Sequence, residues 1–147
     1  MNMSLQNLLG VSLEQIAPQI GTVRRLLDGA ARHIADAKVK AISAETRFSS
    51  AYTAIRMLAD AGLHAHGYRT LTSKPGHHQT AIQTLPKTLG VDSPTVIRLD
   101  KLRKQRNVTE YTGDIVPDSA VAECLSPAES LHAHTLHWLK EHKPSLL

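Results

Sequence analysis

Apolar residues recur every three or four positions along most of the chain, which is the spacing of an amphipathic helix. The clearest example runs from about residue 43 to residue 64, where apolar side chains fall on one face at every turn. The pattern as a whole predicts an all-α protein and no strand. The five helical segments that it predicts lie at about residues 12–40, 43–64, 82–89, 93–110 and 118–144.

Proline, glycine and capping residues mark the expected breaks between these segments. Pro18 lies inside the first apolar pattern and predicts a kink or a restart there. Residues 64–79 are mostly polar and contain two glycines and a proline, so we predict a long loop, a kind of segment that is often functional. Ser93, followed by Pro94, predicts the N-cap of the fourth helix. Residues 126–129 have the spacing of a capping box and predict that the fifth helix restarts or bends there.

The composition fits one helical domain. The chain has 147 residues, about one domain's length, so we expect a single antiparallel helical bundle over residues 1–147. Aromatic residues are only 3% of the chain, which leaves the core to aliphatic side chains and favours packed helices over a β-sandwich. No apolar run is long enough for a membrane span, and the first residues lack the pattern of a secretory signal, so we expect a cytoplasmic protein.

The charge balance permits a polyanionic partner without requiring one. Lys and Arg number 17 against 13 Asp and Glu, a formal net charge of +4, and nine histidines add positive charge below neutral pH. The single cysteine, Cys124, excludes a disulfide framework and a four-thiolate metal site. The sequence contains no glycine-rich phosphate loop and no Gly-x-Ser-x-Gly elbow, so we expect no cofactor.

The fourth predicted helix carries the most unusual residues. Arg106 follows Leu102 by four positions and so occupies the apolar stripe, where a guanidinium needs a carboxylate, a phosphate or carbonyl groups as partners. Arg103, Asn107 and Tyr111 succeed one another at steps of four on a neighbouring face. Together these side chains offer guanidinium, amide and phenol donors along one helix, a set that suits the binding of a phosphate group.

Ordinary electrostatics could also account for these residues. Arg106 and Glu110 are four positions apart and could form an intrahelical ion pair. Lys101, Arg103 and Lys104 could be a basic face in contact with water. Spacing alone favours this interpretation, because charge patterns without a motif rarely identify a site.

The nine histidines suggest a metal site, but their pattern favours packing or contact with water. His134 and His137 have a chelating spacing on the fifth predicted helix, and histidine pairs stand at both ends of the loop of residues 64–79. The sequence has no His-Glu-x-x-His arrangement, and its one cysteine has no second cysteine with which to bind a metal ion. We therefore expect no metal site.

The second predicted helix contains residues 47–58, which are rich in Tyr, Ala and Leu, and leads to Gly62 and then to the Gly-His-His sequence of residues 76–78. This arrangement resembles HEPN domains (higher eukaryote and prokaryote nucleotide-binding), small all-α proteins that include many ribonuclease toxins. In that family, a long second helix leads to a glycine and then to a histidine that opens the next helix. The resemblance covers about residues 22–142.

Arg106, Asn107 and Tyr111 carry the second part of the resemblance. The HEPN signature is an arginine followed by a polar residue, with a histidine four to six positions beyond. In active members the arginine and the next residue bind the scissile phosphate, the histidine assists attack by the ribose 2′-hydroxyl without a metal, and two subunits form a composite cleft. Matched by position, Arg106 and Asn107 would bind phosphate, whereas Tyr111 stands where the histidine is expected.

The tyrosine changes the chemistry that the resemblance implies. A phenol with a pKa of about 10 is a poor base at neutral pH, and loss of general acid–base catalysis lowers a rate by about 10² to 10⁴. No histidine lies between His78 and His132 in the sequence. One of His77, His78 and His134 could supply the missing group if the fold brought it to Arg106.

We therefore predict a HEPN-like bundle that binds RNA or a nucleotide as a homodimer, since an arginine on an apolar stripe is better satisfied in a shared polar cleft than in a sealed core. The residues expected to bind it are Arg103, Lys104, Arg106 and Asn107. One alternative is a metal-independent endoribonuclease of toxin–antitoxin type that uses Arg106, Asn107 and Tyr111. The other is a partner-binding protein without nucleic-acid activity, whose partner could be an antitoxin-like nucleotidyltransferase.

Overall fold

The computed structural model describes residues 4–113 and 115–147, except for the side chains of Glu110 and Tyr111. Within these ranges the protein is an all-α helical bundle with a very small sheet, which confirms the predicted fold class. None of the described helices is long and apolar enough to cross a membrane. The helices are α1 (Ile20–Ala37), α2 (Ala44–Ala65), α3 (His77–Gln83), α4 (Leu85–Thr88), α5 (Ser93–Thr112) and α6 (Asp118–His142). The remaining described elements are strands β1 (Leu13–Gln15) and β2 (Tyr68–Thr70) and the 3₁₀ turns Leu5–Leu8 and Pro144–Leu146.

Helix α2 lies at the centre of the bundle. It packs extensively against α1 and α6, and it also contacts α3, α4 and α5. Its Phe48, Tyr52 and Leu58 side chains are at most 1% exposed. Ser43 caps the helix by accepting a hydrogen bond from the Thr46 amide, so the predicted start near residue 43 is confirmed. Since α3 and α5 also pack against each other, the segment around residue 77 lies beside α5, the helix that carries Arg103 and Arg106.

The N-terminal segment differs from the prediction. The sequence pattern predicts a helix from residue 12, but α1 begins only at Ile20, after Pro18. Proline has no backbone N–H and disfavours helical geometry in the residue before it. The preceding residues instead form β1, which pairs antiparallel with β2. Strand β2 lies within the predicted loop of residues 64–79, so the prediction of no strand is wrong.

The other helix boundaries agree only partly with the predicted breaks. Asp92, not Ser93, caps α5, because its carboxylate accepts a hydrogen bond of 2.9 Å from the Thr95 amide. Helix α6 continues through Pro127, so it does not restart at the predicted capping box. The third predicted segment is divided in two, since α3 ends at Gln83 and α4 begins at Leu85, just before Pro86.

Gly62 allows a test of how closely α2 packs against the end of α4. A Cβ atom at this position would lie 2.9 Å from both Leu89 Cγ and Thr88 Oγ1, on side chains that are buried. We expect Gly62→Val to lower the free energy of unfolding by about 1 to 3 kcal/mol, because overpacking a core displaces its neighbours. Gly21→Val is the matched control, since a Cβ atom there meets Arg25 at an ordinary 3.6 Å. Urea denaturation measures both variants, and equal losses would contradict this account.

Candidate functional site

Helix α5 holds Arg106 and Asn107 next to its buried anchors. Leu99 and Leu102 are buried, whereas Arg106 and Asn107 are half-buried. The Arg106 guanidinium lies over the Tyr52 ring, 5.6 Å from the ring centroid, and its Nη1 atom donates to Asn107 Oδ1 at 3.5 Å. The arginine on the apolar stripe is therefore held against an aromatic ring of α2.

Arg103 and Lys104 share one acidic neighbour. Arg103 Nε donates to Asp100 Oδ1 at 2.8 Å, and Lys104 Nζ lies 3.5 Å from Asp100 Oδ2. The Arg103 side chain is 13% exposed, whereas that of Lys104 is 66% exposed. Asp100 therefore orients a largely covered arginine, and one carboxylate against two cations leaves this turn of α5 positive.

A groove of about 600 Å³ separates residues 72–79 from α5, and we refer to it as the loop groove. It brings the predicted functional loop together with two of the predicted phosphate-binding residues. The side chains in its lining that can carry positive charge or donate hydrogen bonds include Lys74, His77, His78, Arg103 and Asn107. His77 and His78 therefore line the same groove as α5 residues, even though no histidine is near Arg106 in the sequence.

His78 contacts Tyr52, the ring over which Arg106 lies. Its Nδ1 atom is 3.4 Å from Tyr52 Oη. Burial, together with the positive charges of Arg56 and other nearby groups, lowers the pKa of His78 to about 4. Burial also raises the pKa of Tyr52 to about 12. Both rings are therefore uncharged at neutral pH, and His78 keeps one ring nitrogen as a hydrogen-bond acceptor.

Arg56 adds a third guanidinium to this region. Its Nη1 atom lies 3.0 Å from Asp60 Oδ2, within one turn of α2. Burial raises the pKa of the Asp60 carboxyl, and the positive charges of Arg56 and His77 act against that rise. The positive charge of Arg56 is one of the causes of the lowered pKa of His78.

A second cavity, of about 450 Å³, lies between α1, α2 and α5, and we refer to it as the Arg106 cavity. Its lining includes His33, Glu45, Phe48, Ser49, Ser50, Thr53, Arg106 and Thr109. His33 Nδ1 and Ser50 Oγ are 3.2 Å apart and form a hydrogen bond across the α1–α2 contact. Sequence reasoning missed this pair, because the two residues belong to different helices and to no motif.

Several other predicted site residues lie elsewhere or remain untested. The Glu110 and Tyr111 side chains are outside the described residues, so the Arg106–Glu110 ion pair and the role of Tyr111 stay predictions. His134 is remote from the loop groove, because its Nε2 atom contacts Leu89 O at 2.5 Å. Among the described residues, no group of three or more His, Cys, Asp and Glu side chains is placed to hold a metal ion.

Tyr52 is the main site residue that sequence reasoning missed. Its spacing on α2 assigns it to the apolar core, and its burial agrees with that assignment. Its contacts with Arg106 and His78 also make it part of the site. The one sequence signal was its place in the segment that resembles HEPN domains.

Comparison of the chain with known protein families, curated proteins and solved structures gave no match. Inference about function therefore depends on the chemistry of the loop groove and the Arg106 cavity. The two sites meet at α5, where Arg106 lines the cavity and its neighbours Arg103 and Asn107 line the groove.

Proposed function

We propose that this protein is a HEPN-like helical bundle that binds single-stranded RNA or a nucleotide through the loop groove. The observation that carries the proposal is the packing of α3 against α5, which brings Lys74 and His77 to the same groove as Arg103 and Asn107. These side chains are hydrogen-bond donors, and two of them carry permanent positive charge. Such a set matches the oxygens of a phosphodiester better than it matches an apolar ligand.

Affinity in this groove should come mainly from phosphates. Only five of the 147 side chains are Phe, Trp or Tyr, so the chain has few platforms on which successive bases could stack. Binding that depends on Lys and Arg contacts to phosphate weakens steeply as salt rises, because it releases condensed counterions. We therefore expect marked salt dependence and limited dependence on base stacking.

The homodimer remains part of this proposal through the resemblance to HEPN domains, in which two subunits form a composite cleft. Within one chain the Arg106 guanidinium already contacts the Tyr52 ring and Asn107. A second copy is therefore not needed to keep this arginine out of a sealed apolar core.

Arg103→Ala tests the loop groove directly. We expect the affinity for a single-stranded RNA decamer to fall about tenfold or more, because a charge-assisted hydrogen bond contributes about 1.5 to 3 kcal/mol. The slope of log affinity against log salt should also decrease by about 0.7 for each lost phosphate contact. Fluorescence anisotropy at several salt concentrations measures both effects.

Lys101→Ala is the matched control on the same helix. Lys101 is exposed and lies about 200° around α5 from Arg103, away from the loop groove. Its removal takes the same charge from the protein but should change affinity much less. Equal losses for the two variants would indicate nonspecific attraction, and no binding by the folded wild type would favour a partner-binding protein.

A metal-independent endoribonuclease is a second candidate, and the position of His78 favours it. The resemblance places Tyr111 where a catalytic histidine is expected, but the fold brings the imidazole of His78 into the loop groove beside Arg103 and Asn107. An uncharged imidazole can accept the proton of a ribose 2′-hydroxyl, although a pKa of about 4 makes His78 a weaker base than an unperturbed histidine. Cleavage that continues in EDTA would distinguish this candidate from a protein that only binds RNA.

A further inference from the structure

Helix α5 stands between two cavities of different chemistry. Arg103 and Asn107 of this helix line the loop groove, and Arg106 and Thr109 line the Arg106 cavity. The hydrogen bond from Arg106 Nη1 to Asn107 Oδ1 joins the two sites at one point of the helix. Asn107, which lines the groove, directly follows Arg106, which lines the cavity, so their Cα atoms are about 3.8 Å apart. A ligand that occupies the groove is therefore close enough to extend into the cavity.

The walls of the Arg106 cavity suit a planar heterocycle better than a second phosphate. They combine the half-buried hydroxyl residues Ser49, Ser50 and Thr53 with the planar guanidinium of Arg106. The described part of this lining also includes the Glu45 carboxylate, which would repel a phosphate. The volume of about 450 Å³ lies within the range of small-molecule sites, about 300 to 1,000 Å³.

The His33–Ser50 hydrogen bond presents a donor and an acceptor together. If Ser50 donates to Nδ1 of His33, the Nε2 atom carries a proton and the serine oxygen still accepts. If Nδ1 donates to Ser50, the Nε2 atom accepts and the hydroxyl proton is available. In either arrangement the pair can complement the edge of a nucleobase, which displays donors and acceptors side by side.

We propose that the Arg106 cavity holds one unstacked base of an RNA strand whose phosphates lie in the loop groove. This inference rests on the proposed RNA binding and adds a base-selective pocket to it. Specific recognition of single-stranded RNA commonly places a splayed base against aromatic or guanidinium surfaces and hydrogen-bonds its edge. The Arg106 guanidinium provides such a surface here, and His33 with Ser50 provides the edge contacts.

The experiment compares homopolymer RNA decamers of A, C and U with an abasic decamer that has the same backbone, by fluorescence anisotropy. We expect the wild type to bind its preferred homopolymer about fivefold or more tightly than the abasic strand, because stacking and edge contacts to a base are lost. Ser50→Leu should fill the cavity and remove this difference, while affinity for the abasic strand changes less than about twofold. Arg103→Ala should weaken binding to every strand by the same factor.

His33→Gln is the second variant, in case Ser50→Leu does not fold, and thermal unfolding checks both. It should reduce the preference between homopolymers without changing abasic affinity. Equal wild-type affinities for all strands, or a base preference that both folded variants keep, would overturn the base pocket and leave RNA binding intact. Failure of the wild type to bind any strand would overturn the proposed function and the pocket together.

Discussion

Arg106→Ala is expected to weaken the binding of single-stranded RNA about 10- to 100-fold while the protein stays folded. The guanidinium lines the Arg106 cavity and is linked to Asn107 of the loop groove, so its removal affects both sites. A hydrogen bond that involves a charged group contributes about 1.5 to 3 kcal/mol, so loss of the guanidinium contacts to the base corresponds to this change in affinity. Anisotropy titrations at several salt concentrations measure the loss and the accompanying decrease in salt dependence.

Arg106→Lys separates the charge of this side chain from its shape. Lysine keeps the positive charge but lacks the planar guanidinium that stacks on a ring and donates several hydrogen bonds in a fixed geometry. We expect an affinity between those of the wild type and Arg106→Ala, with a salt slope close to the wild-type value. If Arg106→Lys binds as weakly as Arg106→Ala, geometry matters more than charge at this position.

The stability of Arg106→Ala distinguishes a binding arginine from a structural one. Loss of the contact with the Tyr52 ring should cost about 0.5 to 1 kcal/mol of unfolding free energy, because a cation–π contact at a partly exposed site contributes that much. A loss of several kcal/mol with unchanged RNA affinity would contradict the proposal. That result would support a structural ion pair and a bundle that serves to hold a protein partner.

Local patterns predicted most of the helices because helix formation depends on neighbours within four residues. Helix α2 begins and ends close to its predicted limits, and α6 begins where predicted. The strand at Leu13–Gln15 could not be found in this way, since its partner lies more than fifty residues away at Tyr68–Thr70. The Asp92 cap was missed for a simpler reason, because aspartate and serine stand side by side and both can cap a helix.

The candidate site also combines features that local spacing predicts with contacts that only tertiary packing creates. Arg103, Arg106 and Asn107 could be grouped from the sequence, because residues three or four positions apart are neighbours on a helix surface. The contacts of Tyr52 with His78 and Arg106 depend on how α2, α3 and α5 pack, and spacing within one helix carries no information about that. Tertiary packing therefore supplies the imidazole that the local motif lacks.

If the loop groove cleaves RNA, His78→Gln is expected to lower the rate by about 10² to 10⁴, the usual contribution of general acid–base catalysis. With Nδ1 donating to Tyr52 Oη, the Nε2 atom of His78 can take the proton of a ribose 2′-hydroxyl. The 2′ oxygen then attacks phosphorus and the bond to the 5′ oxygen breaks, with a proton supplied to that oxygen by His77 or water. The products are a 2′,3′-cyclic phosphate and a 5′-hydroxyl, and gel analysis in EDTA detects both.

His137→Gln is the matched control for this experiment. His137 is exposed on α6, 3.2 Å from Glu141, and does not line the loop groove. Its loss removes an imidazole without touching the site, so cleavage should continue at the wild-type rate. Equal rates for His78→Gln and the wild type would exclude His78 as the base, and activity that EDTA abolishes would exclude the metal-independent reaction.

The pH dependence of cleavage gives a signature that a structural role of His78 would not produce. A general base must be unprotonated to act, so the rate falls as pH decreases through its pKa. Because burial and nearby positive charges lower the pKa of His78 to about 4, the loss of activity should be centred near that pH instead of at about 6.5, the value of an unperturbed histidine. At pH 5.5 the wild type should therefore keep most of its neutral-pH rate. An acid limb centred near pH 6.5 would assign the base to a solvent-accessible histidine and contradict the role of His78.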